Sequence, residues 1–411
     1  MTSRLKDAIK SRITAANKRK KKDKRGPTTK HQLLAVDIAE SFGKLKSRRD
    51  VAILMNLCKK QSNARIMRIW GIVKEKEISN KMAYFLAILR NINKEERMEK
   101  VKKVKIIFIG SSEFAVPILQ ELLNRDLRII AVITQIDRPV GRKKILTATP
   151  IKKFAQERRL TILQPLKISL IKNKIKKLNP DLIITAAYGQ IVPQAILDIP
   201  KHKCLNIHPS LLPKYRGSSP IQNAILNGDR QTAVSIMIMD AKMDHGDIIA
   251  KKRLKIIDQN YTQLRDELSE LGADLLVKVL PDYLVEKIKA KPQNHKNAIF
   301  TKILQRADGQ VDWRKKAIEI ERQVRAFYPW PGSWSFLSNN KKLKIIQVSL
   351  LRIVGAHKNV GEIFLTDDKK MGVLCGHGSL VLERVQLEGK KEMSGREFML
   401  GRKVDRFVIL E

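Results

Sequence analysis

Residues 104–110, VKIIFIG, form an apolar, β-branched run, interrupted by Lys105 alone, that stops at a glycine. A strand covered on both faces carries such a run, because neither side of it meets water. EFAVPILQELLNR follows with helical spacing, then RIIAVITQ as a second strand and TPIKKFAQERR as a second helix. TILQP, DLIITAAYG and LNIHPS read as further strands, with SLIKNKIKKL as a helix between the first two, and 261–288 reads as the helical close. Strands alternating with helices predict an α/β domain over 104–288, built on a Rossmann-like, doubly wound and mostly parallel sheet. Ligands of such sheets sit beyond the carboxyl ends of the strands. Gly110, Gly189 and the segment of Asn206 and His208 fall at such ends.

The pattern changes on either side. Residues 289–304 read as a linker, and over 305–411 the runs KLKIIQVSLL, VGEIFLTDDKKMGVLCG and GSLVLERVQL predict a small β-barrel. Residues 31–97 have helical spacing and predict an all-α module of three or four helices, with Trp70 and Phe85 in its core. Residues 1–30 form a basic tail expected to be disordered, because like charges repel and little apolar surface can be buried.

Charge narrows the partners. The 411 residues hold 82 Lys+Arg against 41 Asp+Glu, a formal net charge of +41. A field this strong points to nucleic acid before an anionic membrane surface, although a lysine-rich composition contributes to it. The excess is densest at the front, where residues 1–103 carry 29 basic and 10 acidic side chains. The run at 18–25 is expected to add a non-specific RNA or ribosome contact. No run of 18 apolar residues exists, so no membrane span is expected. Cys58, Cys204 and Cys375 are far apart and form no CxxC, which implies a reducing compartment and no structural metal. The expected location is the cytoplasm. An organellar matrix is the alternative, since RLKDAIKSRITAANKRKKK loosely resembles a transit peptide.

The chemistry concentrates in CLNIHPSLLPKYRG, residues 204–217. In an extended segment Asn206 and His208, two apart, face the same side. An amide can donate to a developing oxyanion, and an imidazole can move protons near neutral pH. Further on, Met243-Asp244-His245-Gly246-Asp247 offers a carboxylate to the same pocket, from either Asp244 or Asp247. No GxxxxGK[ST] exists and Gly110-Ser111-Ser112 is not GxGxxG, which argues against nucleotide hydrolysis and nicotinamide chemistry.

Six blocks in order carry a family resemblance: KIIFIGSSEFAVPIL (105–119), QIDRPVGRKK (135–144), AAYGQIVP (186–193), CLNIHPSLLPKYRG with the Asp244 loop, RGSSPIQNAI (216–225) and RAFYPWPGSW (325–334). Together, from about Val104 to Glu411, they resemble the folate-dependent formyltransferases, most of all the members acting on methionyl-tRNA. The resemblance implies a formyl donor, 10-formyltetrahydrofolate, and an acceptor, the α-amino group of initiator methionyl-tRNA. It implies that Asn206, His208 and Asp244 are catalytic, Asp244 being the acid two residues before the glycine. Ser210, Leu211, Leu212, Pro213 and Gly189 match positions that hold the folate. Arg138, Arg142, Lys143, Lys144 and Arg216 would contact the tRNA, with Arg142 at the critical arginine position. The domain at 305–411 would be an OB-like, tRNA-binding barrel. Formyltransferases of sugar nucleotides or of glycinamide ribotide, and an idle RNA-binding protein on this fold, are the alternatives. The long basic loop, the C-terminal barrel and the intact Asn206, His208 and Asp244 argue against them. Trp330 and Trp334 are expected to pack between the domains.

Overall fold

A computed structural model describes residues 61–141, 143–351, 359–400 and 407–408, together with residues 34, 35, 37, 38, 41, 54 and 56. The tail at 1–30, its basic run and Arg142 lie outside the described residues. The chain divides into two compact units, Met1–Lys100 and Val101–Glu411.

The first unit is helical where described. Helix α1 (Asn63–Glu75) starts at Ser62, whose hydroxyl accepts from the Arg65 N–H, and α2 (Lys81–Lys102) follows. Ile66, Ile69 and Val73 recur at helical spacing and bury against Phe85, Leu86 and Leu89, with Ala35, Ile38 and Leu54 in the same cluster. Phe85 is fully buried. Trp70 lies against the cluster, and its indole N–H donates to Ser41 Oγ at 2.8 Å.

The second unit opens with the expected alternation. Its elements are β1 (Ile106–Gly110), α3 (Ala115–Asn124), β2 (Ile129–Ile133), β3 (Arg138–Val140), β4 (Ile145–Thr147), α4 (Pro150–Glu157), β5 (Ile162–Leu163), α5 (Lys172–Leu178), β6 (Leu182–Ala186), α6 (Gln194–Leu197) and β7 (Cys204–His208). Then come β8 (Arg216–Gly217), α7 (Pro220–Leu226), β9 (Gln231–Ile238), β10 (Ile248–Lys255) and α8 (Tyr261–Leu284). Seven strands make one sheet in the order β10-β9-β7-β6-β1-β2-β5. Strands β5, β2, β1, β6 and β7 are parallel, and β9 and β10 extend the sheet antiparallel.

Every residue of β1 and β6 is buried, which explains their unbroken apolar runs. On one face α8 crosses β7 and β9 closely: a Cβ on Gly272 would lie 3.0 Å from Ile207 and 3.3 Å from Val234. On the other, Ile175, Ile196 and Leu197 from α5 and α6 cover Ile107, Ile109, Ala131, Ile133 and Ile183. The chain leaves β1 toward β2 and β5, then returns to the other side through β6 and β7. That reversal opens a crevice at the carboxyl ends of β1 and β6, and the site lies there.

The rest of the unit comprises β11 (Phe300–Thr301), α9 (Ala317–Phe327), β12 (Ser333–Leu337), β13 (Lys342–Leu351), β14 (Ile363–Leu365), β15 (Met371–Leu374), β16 (Ser379–Leu387), β17 (Glu392–Ser394), α10 (Gly395–Met399) and β18 (Phe407–Val408). Antiparallel strands in the order β14-β15-β16-β13-β12-β18, with β17 on β16, curl into a half-barrel. Register shifts between Ile345 and Val348 bend β13, its central strand. Trp313, Ile320, Val324, Leu343, Leu382 and Phe398 share its core. Trp334 is held here by Phe336, in an edge-on ring contact, and by Arg306, whose carbonyl accepts the indole N–H. Trp330 differs from the expectation of interdomain packing. It is half exposed in the turn after α9, flanked by Pro329 and Pro331. Among the described residues no helix is long and apolar enough to cross a membrane.

Candidate active site

Strand β7 runs between β6 and β9, so its end is rigid and dry, and Asn206 and His208 project from one side of it. Asp244 arrives from the turn between β9 and β10 with φ +47°, a left-handed conformation that aspartate tolerates better than most residues. Its carboxylate meets three groups. Asn206 Nδ2 donates to Oδ1 at 3.3 Å, the Gly217 N–H donates to Oδ2 at 2.8 Å, and His208 Nδ1 lies 3.6 Å from Oδ2. His208 is 5% exposed, and its Nε2 sits 2.9 Å from the Tyr215 carbonyl oxygen. A carbonyl only accepts, so Nε2 carries a hydrogen and Nδ1 is the nitrogen left to face Asp244 and a ligand.

The same turn places the two acids differently. Asp247 is exposed, while the Asp244 carboxylate is at the Asn206–His208 pair. Gly246 between them is required by space, since a Cβ there would lie 1.9 Å from the Ile238 carbonyl oxygen.

The segment expected as a linker is bound into this face. Lys291 and Ile248 exchange two backbone hydrogen bonds, and β11 pairs in parallel with β8, Phe300 opposite Arg216 and Thr301 opposite Gly217. Gln293, 7% exposed, donates from Nε2 to the carbonyls of Asp244 (3.0 Å) and Gly246 (2.7 Å), so it fixes the acidic turn from behind. Its Oε1 accepts from Arg216 at 2.7 Å. Sequence reading missed Gln293, because an amide in a Lys- and Asn-rich stretch looks like any solvated linker residue.

Arg216, expected to contact the tRNA, is turned inward. It is 3% exposed, and its Nη2 also meets His295 Nδ1 at 2.8 Å. Burial lowers its pKa, and the Asp244 and Asp240 carboxylates oppose that shift, so the cation stays paired within the fold. His245 stacks flat on His295 with centroids 4.0 Å apart and bonds Asp240 through Nδ1 at 2.6 Å.

The crevice beside the triad is lined by the turn after β6. Ala187 and Gly189 have φ +44° and +80°, and both are exposed. The Tyr188 carbonyl accepts from Ser111 Oγ (3.1 Å) and Gln135 Nε2 (2.6 Å), which fixes the exposed backbone on each side of it. Of the matching residues after β7, Ser210 and Leu212 face inward. Ser210 Oγ donates to the Lys214 carbonyl, and Leu212 packs on Met237 and Ile248. Leu211 and Pro213 are half-buried, so with Gly189 they are the members of that set open to a ligand.

The basic loop is a hairpin of β3 and β4 that turns at Gly141, with Arg138, Lys143 and Lys144 exposed. Its base is anchored by Asp137, which accepts from Lys152 at 2.6 Å and from Gln164 at 2.8 Å. The Lys152 and Gln164 hydrogen bonds hold the Asp137 carboxyl below its usual pKa.

Comparison with known proteins assigns the architecture. The family model described as formyl transferase matches residues 102–280, and the model of its C-terminal domain matches 303–403. The methionyl-tRNA formyltransferase of Geobacter sulfurreducens is 41% identical over 301 residues, 72% of this chain and 94% of that protein. That of Alkaliphilus oremlandii is 38% identical over 316 residues, 75% of this chain and 99% of that protein. The chain belongs to the methionyl-tRNA formyltransferase family. Solved structures similar to this methionyl-tRNA formyltransferase family member share its fold. An N-formyltransferase of Helicobacter canadensis, in complex with folinic acid and dTDP-3-aminofucose, is 19% identical with TM-score 0.53, covering 68% of this chain and 98% of that one. HypX from Aquifex aeolicus in complex with tetrahydrofolic acid is 17% identical with TM-score 0.53 over 74% of this chain, which spans 50% of HypX.

Proposed function

We propose that this chain transfers the formyl group of 10-formyltetrahydrofolate to the α-amino group of initiator methionyl-tRNA. The convergence of Asn206, His208 and Asp244 at the carboxyl end of β7 carries the reading. The exposed backbone at Ala187 and Gly189, with Leu211 and Pro213 across the crevice, suits a flat pterin approached edge-on. When bound, the folate supplies the formyl carbon and, at N10, the leaving nitrogen.

The chain's own groups handle charge and protons. The neutral amine attacks the formyl carbon, and the Asn206 amide and protonated His208 face the oxyanion that forms. The C–N10 bond then breaks, the amine loses one proton and N10 gains one. His208 Nδ1 is the atom able to move that proton, because Nε2 is occupied by the Tyr215 carbonyl. Asp244 orients the ring and stabilises its cation from 3.6 Å. Arg138, Lys143 and Lys144, with Arg142, contact the acceptor stem, largely at phosphates, and the basic run at 18–25 adds further RNA affinity.

The test is formylation of methionyl-tRNA by the full chain with 10-formyltetrahydrofolate as donor. His208→Gln is expected to lower kcat by on the order of 10²–10³ with tRNA affinity unchanged. Absence of formyl-methionine from the unmutated chain refutes the proposal.

A further inference from the structure

Segment 289–304 carries an aromatic ring onto the strand beside the site, opposite Arg216. Phe300 is fixed by its strand pairing with Arg216, and Thr301 Oγ1 reinforces that pairing by donating to the Arg216 carbonyl at 3.1 Å. The Phe300 side chain is nevertheless largely open to solvent. It is 65% exposed, beside Ile299 at 46% and Ile303 at 73%, and the Arg216 guanidinium lies 5.8 Å from its ring centre. Met243 is 53% exposed, and its Sδ lies 3.5 Å from where a Cβ on Gly217 would be. An apolar patch at the edge of a polar site, on backbone already held in place, is a binding surface that has no ordering cost left to meet.

The distance to the triad selects the occupant. Paired strands lie about 4.8 Å apart, and Gly217, next to Arg216, donates to Asp244. The Phe300 ring is therefore within roughly 10 Å of the Asp244 carboxylate. In an aminoacyl-tRNA about seven covalent bonds of roughly 1.5 Å separate the α-amine from the terminal base, along a path that bends through the ribose. An amine at Asp244 and His208 thus brings the terminal adenine into reach of Phe300. We propose that Phe300 is the stacking platform for the terminal adenine of the acceptor tRNA, presented by the β8–β11 pair. This rests on the function proposed above. The ring also explains why β11 pairs with the strand that donates to Asp244: the platform and the acidic turn keep one fixed spacing, as the constant CCA end of tRNA requires.

The test compares the full chain with Phe300→Ala and Phe300→Trp. Stacking on an aromatic ring supports a fall of about tenfold in kcat/KM for methionyl-tRNA in F300A, carried by KM with kcat retained, and near-normal values in F300W. Two minimal amine acceptors, compared by kcat/KM for their formylation, identify the contact. 3′-Methionylamido-3′-deoxyadenosine should lose about tenfold in F300A, while methioninamide should be unaffected. Unchanged kcat/KM in F300A overturns the inference. Equal weakening of both acceptors overturns it too, because the ring would then hold the methionyl side chain. A wild-type chain that does not formylate methionyl-tRNA removes the function beneath it, an outcome distinct from an active wild type with an indifferent F300A.

Discussion

Gln293→Leu isolates the support of the acidic turn, because leucine keeps the volume and removes every polar contact. The wild-type side chain donates to the Asp244 and Gly246 carbonyls and accepts from Arg216 at 7% exposure. Two neutral hydrogen bonds contribute about 1 kcal/mol each, and one to a charged group about 1.5–3 kcal/mol. Arg216 keeps His295 as a partner, so the net loss is about 3 kcal/mol. That corresponds to a fall of about 6 °C in the melting temperature of a domain this large. Asp244 then holds its left-handed conformation without a brace. A displacement of about 1 Å at Asn206 and His208 can lower kcat by on the order of 10². Gln293→Glu separates the two roles: it still accepts from Arg216 but cannot donate to the carbonyls, so it should recover more stability than kcat. Differential scanning fluorimetry and steady-state formylation read both. A Q293L enzyme with wild-type melting temperature and kcat refutes the claim that the linker holds the acidic turn.

Two further outcomes follow from burial. Burial pushes the Cys204 and Cys375 thiols up to about 12, so both should resist iodoacetamide at pH 8 in the folded chain and react after denaturation; rapid native labelling of either, read by peptide mass, contradicts their burial. Burial, and then the Lys201 charge, hold His202 below its ordinary value, so the unfolded chain takes up a proton near pH 6.5 that the folded chain refuses. Stability is expected to fall as pH drops below about 6.5, and His202→Gln should flatten that slope in urea titrations at pH 5 and 7.5; parallel slopes contradict it.

The net charge pointed to a nucleic-acid partner, and membership of the methionyl-tRNA formyltransferase family agrees with it. The contrast between Arg138 and Arg216 shows why charge in a sequence is ambiguous. Both arginines look alike in a basic stretch. One is at an open hairpin, whereas the other is enclosed by β11, Gln293 and His295.

The alternating α/β core was legible from local pattern, because an apolar run such as IIFIG can satisfy its side chains only between two covered faces. The Asn206–His208 pair was legible in the same way, since a period of two is a local property of an extended chain. Only tertiary structure shows that Asp244, and not Asp247, lies beside Asn206 and His208, because side-chain direction at a tight turn depends on the backbone around Gly246 and its fit against Ile238. It alone drew residues 289–304 into the site. Gln293 and Phe300 lie 49 and 84 residues from the Asp244 and Arg216 they serve, and contacts that distant leave no periodicity to read. Local pattern specifies elements, whereas the partners of a buried polar group are specified only when the chain closes around it.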